Sequence, residues 1–309
     1  MLTSRRATRA SRRASCRRST RDEHADDEHA DEDRAEDVHP DQAPGAIVLT
    51  LDLALDPQLW LLTALAGFAA GLIDSIVGGG GLVLTPAMLN LHPGLHILQA
   101  IGTQRTSSIF GTSVAAWNYL RRIRIERRIL LPACVAALVA SAGGVQLAKR
   151  IDADVLKWTV LAICVVLAVY TVLRKDLGLR EERRFHPRHE AIAAAAIGAA
   201  TGFYNGLIGP GTGTLMVFAF VSVLGLDFLK SSAVSKSANV AADLSSWTVL
   251  MLSGFVLWAL AIPLIVGNVI GSYIGSHLAI KRGQGFVRAM FLVIVLSLIA
   301  RQAWQLATS

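Results

Sequence analysis

Along this chain apolar residues run in blocks of about 20, the length a helix needs to cross a bilayer. Such blocks fall at roughly 58–77, 97–120, 130–148, 155–173, 190–208, 230–252, 257–280 and 286–306. Two shorter apolar stretches, 82–91 and 212–225, each follow a glycine-rich break. The first break is Gly78-Gly79-Gly80-Gly81 and the second Gly209-Pro210-Gly211-Thr212-Gly213. The pattern predicts an all-α polytopic membrane protein with about eight full transmembrane helices and two short broken segments.

The body also repeats itself. An ungapped shift of 131 residues places Gly67 on Gly198, Gly71 on Gly202, Gly78 on Gly209 and Gly80 on Gly211. It also places Asp74 on Asn205, Arg105 on Lys236, Pro132 on Pro263, Ser141 on Ser272 and Gly144 on Gly275. Glycine and proline hold backbone roles that other residues replace poorly, so their coincidence weighs most. The expected organisation is a charged tail over 1–45, a first membrane repeat over 55–174, a linker over 175–189 and a second repeat over 190–307.

Charge changes the picture by giving the halves an orientation. Residues 121–128 hold five Arg, and 174–188 is also rich in Arg and Lys. Basic loops favour the cytoplasm, so both are expected there. In the second half the equivalent of 121–128 is the uncharged 252–259, while the equivalent of 149–154 carries Lys281 and Arg282. The bias is reversed between the halves, as in an inverted repeat of a secondary transporter. Each short segment then turns back through the membrane, and both termini face outside.

Composition agrees with a membrane protein. Hydrophobic residues make up 53% of the chain and charged residues 17%. Residues 1–45 hold nine Arg and eleven Asp and Glu. Elsewhere a charge occurs about once in eight residues, half the density of a soluble domain. This argues against a soluble enzyme, a nucleic-acid partner and wholesale disorder. The tail has too little apolar material to fold and no signal-peptide core. It is expected to be a disordered tail; its Arg block, out of place outside the cell, adds some weight to the alternative of a mis-called start, with translation beginning at Val48 or Leu49. Cys16, Cys134 and Cys164 form no metal or disulfide spacing. His186-Pro-Arg-His189-Glu190 has no zincin spacing. No cofactor, metal or catalytic residue is expected.

Binding chemistry is expected at the breaks. Unpaired backbone survives at membrane depth only where protein or a polar cavity covers it. Gly78, Gly79, Gly80 and Gly81, with Gly209, Gly211, Thr212 and Gly213, each precede a short helix whose free N–H groups make an anion site. Gly67/Gly71 and Gly198/Gly202 read instead as close helix packing. Arg105 and Lys236 each lie about eight residues into a span, where a charge is costly unless it faces a cavity. Their polar neighbours include Thr103, Gln104, Ser108, Ser235 and Asn239. The rival reading is that both cations snorkel to the headgroups. Asp74 is the candidate for proton coupling, or a partner for Arg105. Asp243, nearly two turns beyond Lys236, ranks below it.

At these residues the chain resembles the TauE/SafE family of sulfite-exporter-like membrane proteins. The stretches that carry the resemblance are 67–82, Gly102-Thr-Gln-Arg105, 204–213, Lys236 and Asn239, within a likeness over about 55–307. Gln104-Arg105 stands where the family usually has Asn-Lys. The resemblance implies a multi-pass inner-membrane permease for sulfite, sulfoacetate or other sulfur-containing or organic anions. The expected function is a cell-membrane secondary transporter exporting a small anion. Its partners are that anion and the lipid bilayer, with self-association left open. An anion channel of the same architecture is the alternative, and a membrane-embedded enzyme a more distant one.

Overall fold

A computed structural model describes residues 57–93, 95, 97–148, 181–183, 186–293 and 296–297. The described residues contain helices and no strand. Helix α1 is Pro57–Val77, α2 Gly80–Leu91, α3 Ile97–Arg122 and α4 Arg127–Ala148. Helix α5 is Pro187–Leu207, and α6 is Thr212–Ala219 running into a π-helical turn, Phe220–Leu224. Helices α7 and α8 are Phe228–Leu252 and Trp258–Arg282, and α9 is Gln284–Val293. A shift of 131 carries the start of α3 onto that of α7 and the start of α4 onto that of α8. The expected span at 155–173 and the tail lie outside the described residues. The expected span at 286–306 is described mainly over α9.

Helices α1, α4 and α8 are long and apolar enough to cross a membrane. They expose Leu61, Leu65, Leu131, Val135, Val139, Ile262, Val266 and Ile270. Such a surface is unfavourable in water and suits lipid. Helices α3 and α7 are as long, but they carry buried Arg105, Lys236 and Asp243 inside the bundle.

The glycines identified as packing residues do pack. A Cβ on Gly67 would lie 2.7 Å from the Leu264 carbonyl oxygen, and Gly71 faces Asn268. In the other half, Gly198 and Gly202 face Ala133 and Ala137. The 131-residue shift converts one set of contacts into the other. Residue numbers rise together in both interfaces, so α1 runs parallel to α8 and α4 parallel to α5. Helix α3 also runs with α8, since the Ser107 hydroxyl donates to Leu264 O at 3.0 Å and Asn118 Nδ2 to Ser276 Oγ at 2.9 Å. Helices α3 and α7 run antiparallel: Arg105 meets Ser246, and Ser108 meets Asp243.

Both short helices turn back. The α2 cap residue His92 meets Thr63 of α1, Nε2 to Oγ1, at 3.1 Å. Gly225, beyond the π turn, accepts from the amide of Glu182 at 2.8 Å, near the start of α5. Each pair is therefore a helical hairpin with a glycine break at its tip.

These directions gather the basic residues at one end of the bundle. The end of α3, the starts of α4, α5 and α7, and the end of α8 meet there. Arg183 reaches Glu126 at 2.5 Å, Glu181 at 2.8 Å and Glu190 at 3.2 Å. Lys230 pairs with Glu181 at 2.5 Å, and Arg128 with Glu190 at 3.3 Å. Hydrogen bonding from Arg183, against a smaller opposing effect of burial, holds the Glu126 carboxyl below its usual range. The opposite end holds no Lys, Arg, Asp or Glu among the described residues, and exposes Trp60 and Trp258. Tryptophan there suits a membrane interface.

Candidate functional site

The two hairpin tips meet backbone to backbone. Gly78 has φ +101° and Gly209 and Gly211 have φ +85°, a region open to glycine but strained for other residues. The Thr214 amide donates to Gly78 O at 3.2 Å. A Cβ on Gly213 would sit 2.7 Å from Gly78 Cα, so the tips approach this closely only because both positions are glycine. Thr212 closes its own turn by donating to Gly209 O at 2.6 Å.

Each buried cation reaches across to the tip of the other half. Lys236 Nζ donates to the Asp74 backbone oxygen and, at 3.0 Å, to Asp74 Oδ2. Arg105 NH1 donates to Asn205 Oδ1 at 2.7 Å and to Ser246 Oγ, and NH2 donates to Asn205 O at 2.6 Å. The shift that relates Arg105 to Lys236 also relates Asn205 to Asp74, so the two pairings are reciprocal. Arg105 is 5% exposed and Lys236 is fully buried, so neither snorkels to a surface. The cation paired with Asp74 is Lys236 rather than Arg105.

The carboxylates complete two small networks. Asp74 also accepts from the Thr112 hydroxyl at 3.2 Å and the Gly80 amide, at the start of α2, at 3.3 Å. Asp243 accepts from Asn205 Nδ2 at 2.9 Å, Asn239 Nδ2 at 3.0 Å and the Ser108 hydroxyl at 3.1 Å. Its nearest approach to Arg105 is 3.8 Å. Arg105 Nε is buried and has no partner among the described residues.

A small cavity of about 30 Å³ lies between these groups. That is room for one or two waters. Its walls bring together Asp74, Gly78, Gly81, Gln104, Arg105, Ser108, Gly209, Gly211, Thr212, Gly213 and Asn239, all singled out in the sequence. Other expected residues stand behind the wall. Gly80 bonds Asp74, and Lys236 lies buried beneath that same carboxylate. Thr103 Oγ1 instead accepts from the Leu257 amide at 3.0 Å, bracing the start of α8. Gly79 and Ser235 do not line the cavity.

The expected site left out Thr112, Ile101, Pro210 and Asp243, the last ranked below Asp74. Asp243 and Pro210 line the cavity, as does Ile101. A signal for Asp243 was available. Lys236, Asn239 and Asp243 sit at helical spacings of three and four, and so share one face of α7. Among the described residues no cluster of His, Cys, Asp or Glu is arranged to hold a metal.

Comparison with known proteins adds the following. The family description "Sulfite exporter TauE/SafE" matches residues 63–301. A probable membrane transporter protein, ORF9, of a Sinorhizobium species is 30% identical over 251 residues, covering 81% of this chain and 94% of its own length. A probable membrane transporter protein of Haemophilus influenzae is 27% identical over 254 residues, covering 82% of this chain and 97% of its own. The probable membrane transporter protein YfcA of Escherichia coli K12 is 29% identical over 240 residues, covering 78% and 88%. No solved structure matches the chain.

Proposed function

This chain belongs to the sulfite exporter TauE/SafE family, and on that premise we propose that it is a multi-pass plasma-membrane secondary transporter exporting a small anion, sulfite or another sulfur-containing or organic anion. The observation that carries the reading is the cavity where the two glycine tips meet. Arg105 lines it and keeps a buried Nε–H without a partner. Gln104, Ser108, Asn239 and the backbone of both breaks supply further polar contacts around the anion. Arg105 offers a planar fork of donors suited to an oxyanion.

The architecture is an inverted repeat. Equivalent helices run in opposite directions: α1 and α3 one way, α5 and α7 the other. Reciprocal contacts of this kind are what a two-fold relation between halves produces. With the axis in the membrane plane, the basic end faces the cytoplasm and the opposite end faces outward. The site then lies near the midplane, where such transporters bind substrate. A cavity this small is a closed state, and substrate enters when the halves rock apart on either side.

The test is uptake into proteoliposomes of labelled sulfite, thiosulfate, sulfoacetate, sulfate and short carboxylates. A carrier gives saturable flux of at least one of them and counterflow against unlabelled anion. Absence of flux across the panel rejects the proposal, and ohmic single-channel current with no counterflow replaces the carrier with a channel.

A further inference from the structure

We infer that Asp243 carries a proton in step with the anion at Arg105, so that each anion crosses together with one proton. The inference rests on the proposed anion transport and names its coupling group.

It starts from the relation between the two half-sites. The 131-residue shift takes Asp74 to Asn205 and Thr112 to Asp243. One half-site is Lys236, Asp74 and Thr112, and the other is Arg105, Asn205 and Asp243. Each holds one cation, one carboxylate and one neutral side chain. The carboxylate has changed position, from the hairpin tip in one to the long helix in the other, yet each half-site keeps formal charge zero. An anion added to this neutral buried set would be uncompensated, which is strongly unfavourable. A proton on one carboxylate frees its cation and restores the balance.

The surroundings distinguish the two carboxylates. Asp74 receives the fully buried Lys236 ammonium directly at 3.0 Å. Protonating Asp74 would leave that ammonium without its counter-charge. Among the described residues Asp243 receives hydrogen bonds only from neutral groups, Asn205, Asn239 and Ser108. Arg105 stands 3.8 Å away and directs its short bonds to neutral oxygens of Asn205 and Ser246. A protonated Asp243 can donate to Ser108 Oγ, because a hydroxyl both donates and accepts. The Ser108 hydroxyl then turns to Thr112 Oγ1, 3.4 Å away, so the network accepts the proton without leaving a donor unpaired.

Among the described residues the charged groups facing Asp243 are few. Helix α3 brings Arg105, the end of α1 brings Asp74, and Lys236 lies seven residues earlier on α7. Helix α5 contributes Asn205, and α4 contributes Ser141, whose hydroxyl donates to Ala242 O at 2.8 Å. Arg127, Arg128 and Glu190 of those helices lie at the basic end. On the side where the anion enters, a hydronium O–H breaks as the Asp243 carboxyl O–H forms, leaving water; on the other side the carboxyl O–H breaks and the proton passes to water.

The experiment measures charge moved per anion. The full chain in liposomes transports labelled sulfite, with thiosulfate and methanesulfonate in parallel, against potentials set by potassium and valinomycin. The zero-flux condition gives the net charge. Asp243→Asn should move one more negative charge per anion than wild type, whatever protonation state the anion carries. Asp243→Glu should keep the wild-type charge. Equal charge in wild type and Asp243→Asn overturns the inference, as does a charge change in Asp74→Asn with none in Asp243→Asn. If Asp243→Asn gives no flux, Asp243→Glu decides: coupled flux supports the inference, and changed charge or no flux overturns it. If wild type carries none of these three, the charge measurement uses whichever anion of the uptake panel it does carry, and no flux across that panel rejects the transport reading itself and with it this one.

Discussion

The Lys236–Asp74 pair lends itself to a double-mutant cycle. Lys236→Met keeps most of the aliphatic stem and removes the ammonium. It leaves the Asp74 carboxylate, 13% exposed, with the Thr112 hydroxyl and the Gly80 amide as its remaining donors. Breaking one side of a buried ion pair costs about 3–5 kcal/mol, mostly for the charge left behind. Asp74→Asn leaves the Lys236 ammonium with the Asp74 backbone oxygen, so it should cost somewhat less, about 2–3 kcal/mol. The double mutant removes both charges, and its loss should fall short of the sum by about 2 kcal/mol or more. The comparison that decides is with ordinary interhelical hydrogen bonds in a bilayer, whose measured couplings average about 0.6 kcal/mol. Reversible unfolding of the four proteins in mixed detergent micelles gives the coupling. It should be nearly independent of salt, because the pair is buried beyond effective screening. A coupling at or below about 0.6 kcal/mol, or a double mutant less stable than the sum of the singles, refutes the pairing as a mutual charge compensation.

Three further outcomes are expected. Arg105→Ala should raise the half-saturating anion concentration roughly 10–100-fold at matched membrane expression, the worth of one charge-assisted hydrogen bond; near-native kinetics would place the anion elsewhere. Gly213→Ala should abolish uptake while the protein still inserts, since the added Cβ meets Gly78 Cα at 2.7 Å; native uptake would mean the tips do not need to touch. The ion-pair cluster at the basic end should loosen in acid. Hydrogen bonding from Arg183 lowers Glu126, and bonds from Lys230 and Arg183 together outweigh burial to lower Glu181. A lowered carboxyl stabilises at neutral pH and loses that contribution as pH falls through its depressed value, below the usual carboxylate range near 4. The protection factor of the Glu182 amide, which bonds Gly225 O, should therefore fall below about pH 4 and in high salt, and Arg183→Ala should remove both responses.

The sequence by itself determined the helices and their repeat. Helix length follows from runs of apolar residues, and the breaks follow from glycines whose positive φ other residues tolerate poorly. Both are local properties, so Gly78–Gly81 and Gly209–Gly213 marked the tips of α1 and α5 without any knowledge of packing. The same is true of Arg105 and Lys236, which stand out because a charge within an apolar block needs a reason. The register of the repeat even placed Asp74 opposite Asn205 and Arg105 opposite Lys236. Only the tertiary structure decided which of these groups touch. Asp74 and Arg105 belong to the same half and looked like natural partners, yet Lys236 from the other half holds Asp74, and Arg105 holds Asn205. Asp243 gained its place in the cavity the same way, through Ser108 on α3 and Asn205 on α5. A linear pattern cannot show these pairings. They arise where the two glycine tips meet, and that meeting depends on backbones approaching where the side chains are hydrogen atoms.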